Sequence, residues 1–264
     1  MLIAQITDCH VIERDRLLHG RVDTAERLLA AVEQINSMTP KPDVVLATGD
    51  LVNDGTHDQY ANLSTILDEI EAPVLAIPGN HDDRDALRSA LGQEPGLSPD
   101  EPMNVVNDEW PLRLVGLDTT VPGQHGGRVT NDQMAWLDVV LSSEPERPTL
   151  IFQHHPPFVT GIDWMDAVGL EGSELEAATI SAHPQVQAVV CGHVHRLVQT
   201  KFAGTVASTW PSTGAQVALA LDGTPHTYVD ETPAVAIHRW SPDGGLVSHV
   251  SYVNDAETWK PDWA

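Results

Sequence analysis

The chain has 264 residues, of which 41% are hydrophobic and 20% charged. That length buries a sizeable core in one large domain without staples. Fourteen basic against 38 acidic residues leave a formal charge of −24, with lysine only at Lys41, Lys201 and Lys260. Such a balance argues against a nucleic-acid groove, which must neutralise phosphates, and against docking on an anionic membrane.

Residues 2–7 read as a strand that follows Met1 at once, with no basic leader or cleavage site. A helix is predicted over 23–38, opened by Asp23 with Glu26 three residues on and closed before Pro40. Residues 44–48 form a buried strand, and Thr56-His57-Asp58-Gln59 is a capping box that starts a helix to about residue 70. A strand at 73–77 and a helix at 83–91 follow, then a Gly/Pro loop at 93–102 and a hairpin of 103–106 with 112–117. Thr130-Asn131-Asp132-Gln133 opens a helix to 141, 149–153 is a strand, 173–182 a helix and 186–191 a strand. Beyond His195 the pattern changes to short strands at 197–202, 205–208, 217–221, 227–229, 235–240 and 246–252. The first part is α/β and the last quarter mostly β, which predicts a single layered α/β domain with two sheets and flanking helices. No apolar run of 18 residues is long enough to span a membrane. Cys9 and Cys191 make no disulfide framework and read as small buried residues, so a reduced, cytoplasmic location is expected.

The polar residues gather at strand exits. Asp8 and His10 follow the first strand, Gly49-Asp50 the second, and Gly79-Asn80-His81-Asp82 the third. His154-His155 and Gly192-His193-Val194-His195 follow two later ones. Ligands of open α/β sheets bind at the carboxyl ends of the strands, so these exits predict one site. In extended chain, residues i and i+2 share a face, so Asp8/His10 and His193/His195 are each read as a pair gripping one ion. The donors are oxygen and imidazole with no thiolate, which suits Mn, Fe or Zn in a catalytic site.

Asp8-x-His10, Gly49-Asp50, Gly79-Asn80-His81-Asp82, His154-x-Pro156 and Gly192-His193-x-His195 resemble, in order, the motifs of the calcineurin-like metallophosphoesterases over about residues 1–200. The remainder, with Gly161-Ile162-Asp163-Trp164-Met165-Asp166, resembles the bacterial class III cyclic nucleotide phosphodiesterases and related glycerophosphodiesterases. The resemblance implies a four-layer αββα sandwich with two mixed sheets, a metal-site core at 1–200 and a β-rich extension at 201–264 that serves as an oligomer contact. It implies two divalent ions. Asp8, His10 and His195 would bind one, Asn80, His154 and His193 the other, and Asp50 both.

A hydroxide between the ions would attack phosphorus, since coordination lowers the pKa of water. His81 would protonate the leaving alkoxide or stand behind a ligand, Asn80 would donate to a phosphoryl oxygen and Asp82 would orient His81. Asn80, His81, His155, His195 and Trp164 are expected against the substrate. His125-Gly126-Gly127 reads as a flexible loop, His19 as a helix lead-in and Asn53 as a turn residue. The expected activity is hydrolysis of small phosphodiesters, 3′,5′-cyclic nucleotides first, by a homo-oligomer. The alternatives are a broad glycerophosphodiesterase and, from another class, a catalytically idle metal-binding scaffold.

Overall fold

The computed structural model describes residues 1–93, 96, 98, 101–254 and 256–263. The loop expected at 93–102 therefore lies partly outside the described residues. Helices and strands alternate at first: β1 (Leu2–Ile6), α1 (Thr24–Ser37), β2 (Val44–Thr48), α2 (His57–Leu67), β3 (Val74–Ile77) and α3 (Arg84–Ala90). Next come β4 (Val105–Asn107), β5 (Arg113–Leu117), β6 (Gly127–Arg128), α4 (Asn131–Ser143) and β7 (Thr149–Gln153). They lead into α5 (Asp163–Asp166), β8 (Leu170–Glu171), α6 (Ser173–Ser181) and β9 (Val186–Cys191). The chain ends in strands: β10 (Val198–Phe202), β11 (Thr205–Thr209), β12 (Gln216–Val217), β13 (Tyr228–Val229), β14 (Ala234–Ser241) and β15 (Gly245–Tyr252). Among the described residues no helix is long and apolar enough to cross a membrane.

Two mixed sheets carry the fold, in orders β15-β14-β1-β2-β3 and β10-β11-β9-β7-β5-β4. In the first, β1, β2 and β3 run parallel; in the second, β5, β7, β9 and β11 do. Ile3, Val44, Leu46, Ile77, Leu114 and Phe152 pack between the sheets. The outer face of the first sheet is covered by α1 and α2 through Leu28, Val32, Ile35 and Leu63. The outer face of the second is covered by α4 and α6 through Met134, Leu137, Leu141 and Ile180. Three apolar interfaces make the four layers αββα. The segment 201–264 completes both sheets: β11 pairs with β9, and β14 pairs with β1.

The helix starts follow the sequence in part. Asp23, Thr56 and Thr130 each accept the amide of the residue three ahead. The reciprocal half of the capping box is missing at both threonines. Gln59 instead accepts from the Asp54 amide (2.7 Å), and Gln133 donates to the Asp118 carbonyl (2.8 Å). Three short elements carried no sequence signal: α5, β6 and β8. The strand expected over 217–221 stops at Val217, because its partner β13 is only two residues long; Leu219 and Leu221 are exposed.

One buried acid stands behind the second sheet. Glu176 of α6 is fully buried, and burial pushes its carboxyl up to about 8 although Gln153 Nε2 donates to it at 3.3 Å. The unfolded chain ionises this group above its ordinary value of 4.5, whereas the folded one keeps its proton to about 8. Stability associated with Glu176 is therefore full below pH 4.5 and falls as pH rises toward 8. Glu176→Gln is expected to be near neutral at pH 4.5 and to stabilise by on the order of 3 kcal/mol at pH 8. Denaturant melts at both pH values check this; a difference that does not grow with pH contradicts it.

Candidate metal centre

The site sits where β1, β2, β3, β7 and β9 end. Its backbone is not extended. Asp8 (φ 51°), His10 (45°), Asp50 (51°), His193 (70°) and His195 (53°) all lie in the left-handed region. The expected pairing of i and i+2 across a strand face is thus replaced by tight turns just past the strands. Asp and His tolerate this region better than bulkier residues, and such strain gathers at functional sites. Hydrogen bonds hold the first two exits together: Asp8 N to Gly49 O (3.0 Å), His10 N to Asp50 O (2.9 Å) and Val11 N to Leu51 O (3.0 Å). Two glycines permit the close approach of the second and third exits. A Cβ at Gly79 would stand 2.2 Å from Asp50 Oδ1, and one at Gly49 (φ 87°) would stand 2.6 Å from Gly79 N.

The ring nitrogens show which atoms turn inward. His154 Nδ1 donates to Thr48 O (2.8 Å), His195 Nδ1 to Ala215 O (2.5 Å) and His193 Nε2 to Val168 O (3.1 Å). Each bond to a carbonyl orients the ring and turns its other nitrogen toward the site. His154 Nε2 lies 3.4 Å from Asp50 Oδ2 and 3.3 Å from Asn80 Oδ1. His195 Nε2 lies 3.4 Å from Asp8 Oδ1 and 3.2 Å from His10 Nε2, and His10 Nε2 is 3.7 Å from Asp50 Oδ2. His10 differs from the other three: its Nδ1 is buried without a partner.

Such a set of carboxylate oxygens and ring nitrogens converging at 3.2–3.7 Å calls for positive charge between them, which protons or a metal cation can supply. Donor atoms of Asp8, His10 and His195 lie within 4.8 Å of one another, as do those of Asp8, Asp50 and His154. The electrostatics agree. Burial alone would raise the Asp50 carboxyl, but His154, His81 and His10 overcome it and hold it well below the usual range. Burial likewise opposes a charged His154, yet Asp50 and Asp8 push it up to about 9. His195 is raised by Asp8 in the same way. His10 falls to about 3 and His193 well below the imidazole range, each chiefly through burial. His10 and His193 are kept neutral, as metal ligands must be, while His154 and His195 carry protons that a divalent ion would displace.

Other expected residues stand elsewhere. Asp82 does not meet the His81 ring. Its carboxylate accepts from the amides of Gly79 (2.9 Å), Leu51 (3.1 Å) and Val52 (3.2 Å) and from Tyr60 Oη (3.0 Å), which ties two strand exits together. Burial and Asp50 push it up to about 6. His81 is oriented instead by the Asn53 carbonyl, which accepts from Nδ1 at 2.6 Å and leaves Nε2 to the cavity. His155 does not face the substrate space either. It is fully buried, with Nδ1 at 2.8 Å from Thr119 Oγ1 and Nε2 donating to His125 O at 3.1 Å. The loop at His125 is pinned rather than loose, since Gly127 pairs with Leu170 and Asn80 Nδ2 reaches His125 Nδ1 at 3.4 Å.

A cavity of about 340 Å³ opens on the centre, lined among others by Asp50, Asn80, His81, His193 and Trp164. Sequence reading missed His226 and Tyr228, which also line it. Only their place on a turn-rich, aromatic segment could have pointed to them.

The chain belongs to the calcineurin-like phosphoesterase family, which it matches over residues 1–197. It is 32% identical over 259 residues to an Arcobacter nitrofigilis protein named "Probable glycerophosphodiester phosphodiesterase GpdQ", covering 97% of this chain and 95% of that one. It is also 32% identical over 214 residues to the 3′,5′-cyclic adenosine monophosphate phosphodiesterase CpdA of Escherichia coli K12, covering 81% and 76%. A dimetal phosphatase from Danio rerio shares the fold at a TM-score of 0.65 and 18% identity, over 96% and 99% of the two chains. By class the chain is a metallophosphoesterase of the phosphodiesterase kind.

Proposed function

We propose that the chain hydrolyses small phosphodiesters, with 3′,5′-cyclic nucleotides as the leading substrates. The observation that carries this reading is the cluster of inward oxygens and ring nitrogens at the floor of a 340 Å³ cavity lined in part by aromatic rings. Asp8, His10 and His195 would hold one ion, Asn80, His154 and His193 the other, with Asp50 between them; Mn, Fe and Zn all suit these donors. When bound, such ions supply charge that draws in the phosphoryl oxygens and lowers the pKa of a nearby water.

The chain's own groups do the rest. Asn80 presents Oδ1 to the centre and keeps Nδ2 free to donate to a phosphoryl oxygen once a substrate displaces its contact with His125. Water oxygen attacks phosphorus, the ester bond breaks, and the electron pair leaves on the alkoxide. The attacking water gives up a proton to solvent, and His81 gives a proton from Nε2 to the alkoxide while Nδ1 keeps its bond to the Asn53 carbonyl. The net charge of −24 repels a polyanionic strand.

A glycerophosphodiesterase is the second reading. It is supported by the 32% identity to the GpdQ-named relative over 97% of this chain, against 29% over the same share for CpdA of Pseudomonas aeruginosa. Initial rates of the manganese-loaded protein on 3′,5′-cyclic AMP and on glycerophosphoethanolamine, measured side by side, test the choice. The leading reading expects a kcat/KM for cyclic AMP higher by about tenfold or more. A preference for glycerophosphoethanolamine overturns it in favour of the second.

A further inference from the structure

The cavity lined by His81 and His125 also has an aromatic part, which comes from two separate parts of the chain. Trp164 lies in α5, packed against Ile162, Met165, Val194 and Val217. That turn is fixed by the Asp166 carboxylate, which accepts from the amides of Thr160 and Gly161 at 2.8 Å each. His226 stacks on the indole with ring centres 3.7 Å apart and planes 18° from parallel. Tyr228 follows at 4.7 Å from His226, and lies 5.9 Å from the ring of His195. A row of rings thus runs from His195 through Tyr228 and His226 to Trp164.

His226 lies in the segment joining β12 to β13, and Tyr228 opens β13. Its base is tied to the metal centre. Ala215 O accepts from His195 Nδ1, Val217 O accepts from Arg196 Nη1 at 2.6 Å, and Val217 pairs with Tyr228. The position of these rings is therefore coupled to that of a ligand. Aromatic faces stack on planar groups of any identity and offer little to a glycerol chain, whose hydroxyls need polar partners.

We propose that Trp164, His226 and Tyr228 form a recognition wall for the organic half of the substrate, selecting a planar heteroaromatic group such as a nucleobase over glycerol. This rests on the phosphodiesterase reading for the phosphate's position, and the wall selects what hangs from it. None of the three rings supplies a donor atom to the proposed ion set.

Equilibrium titration of the manganese-loaded protein with adenosine 5′-monophosphate and with sn-glycerol 3-phosphate tests the wall without turnover. Wild type is expected to bind the nucleotide about tenfold more tightly or better. Trp164→Ala and Tyr228→Leu are expected to weaken the nucleotide by about tenfold and glycerol 3-phosphate by less than about twofold. Trp164→Phe keeps a flat ring and is expected to stay within about threefold of wild type. Equal loss of both ligands, or no preference in wild type, overturns the proposal. If this pattern holds while the protein hydrolyses neither cyclic AMP nor bis(4-nitrophenyl) phosphate, the phosphodiesterase reading fails and the wall stands. If hydrolysis is present without the pattern, the wall alone fails.

Discussion

Asp50→Asn is expected to lower phosphodiester turnover by about three orders of magnitude or more, equivalent to roughly 4 kcal/mol of transition-state stabilisation. The reason is its place in the donor set. One carboxylate oxygen lies 3.4 Å from His154 Nε2 and 3.7 Å from His10 Nε2, while the other accepts the His81 amide at 2.8 Å. Asparagine keeps the size and can still accept from His81. It removes the charge that pulls His154 upward and that two neighbouring cations would share. Losing only the partners behind a metal ligand costs about 10–100-fold in metal affinity, so losing a shared ligand is expected to cost more. Metal content after gel filtration and kcat on one diester read this directly. A variant that keeps both its metal and its rate removes Asp50 from the centre.

His81→Gln is expected to act on proton delivery and not on metal. Its kcat on cyclic AMP should fall by about 10²–10⁴-fold, the usual range for a positioned acid, with metal content unchanged. The ribose alkoxide of that substrate is a poor leaving group and needs the proton. The 4-nitrophenolate of bis(4-nitrophenyl) phosphate does not, and its rate should fall by less than about tenfold. Equal losses on the two substrates would mean that His81 positions other groups, the second role that the sequence leaves open. The ring stands ready for either: it lies 4.8 Å from the His10 ring, and Asn53 O takes its Nδ1 proton.

The layers were legible because the signals are local. Apolar runs such as 44–48 and 149–153 are buried at every position, as a strand sandwiched on both faces requires. The polar residues beyond them had nowhere to go but the carboxyl edge. The left-handed turns at Asp8 and His193 were not legible, since nothing in a D-x-H or H-x-H string distinguishes an extended pair from a tight turn. The roles of Asp82 and His155 were misread for a related reason. Both sit beside ligands in sequence, but each is drawn backward by long-range partners: Asp82 by the amides at 51 and 52, His155 by Thr119 and His125. The hairpin rings His226 and Tyr228 lie about 60 residues beyond Trp164, and only the finished fold brings them to the same cavity.

The proposed hydrolysis needs two ions. The most direct test strips the protein with a chelator and returns manganese in measured steps, following bound metal and the rate of diester hydrolysis together. The expected result is no rate in the stripped protein and a rate that saturates as bound manganese approaches two per chain. Full rate in metal-free protein, or saturation at a single ion, would contradict it.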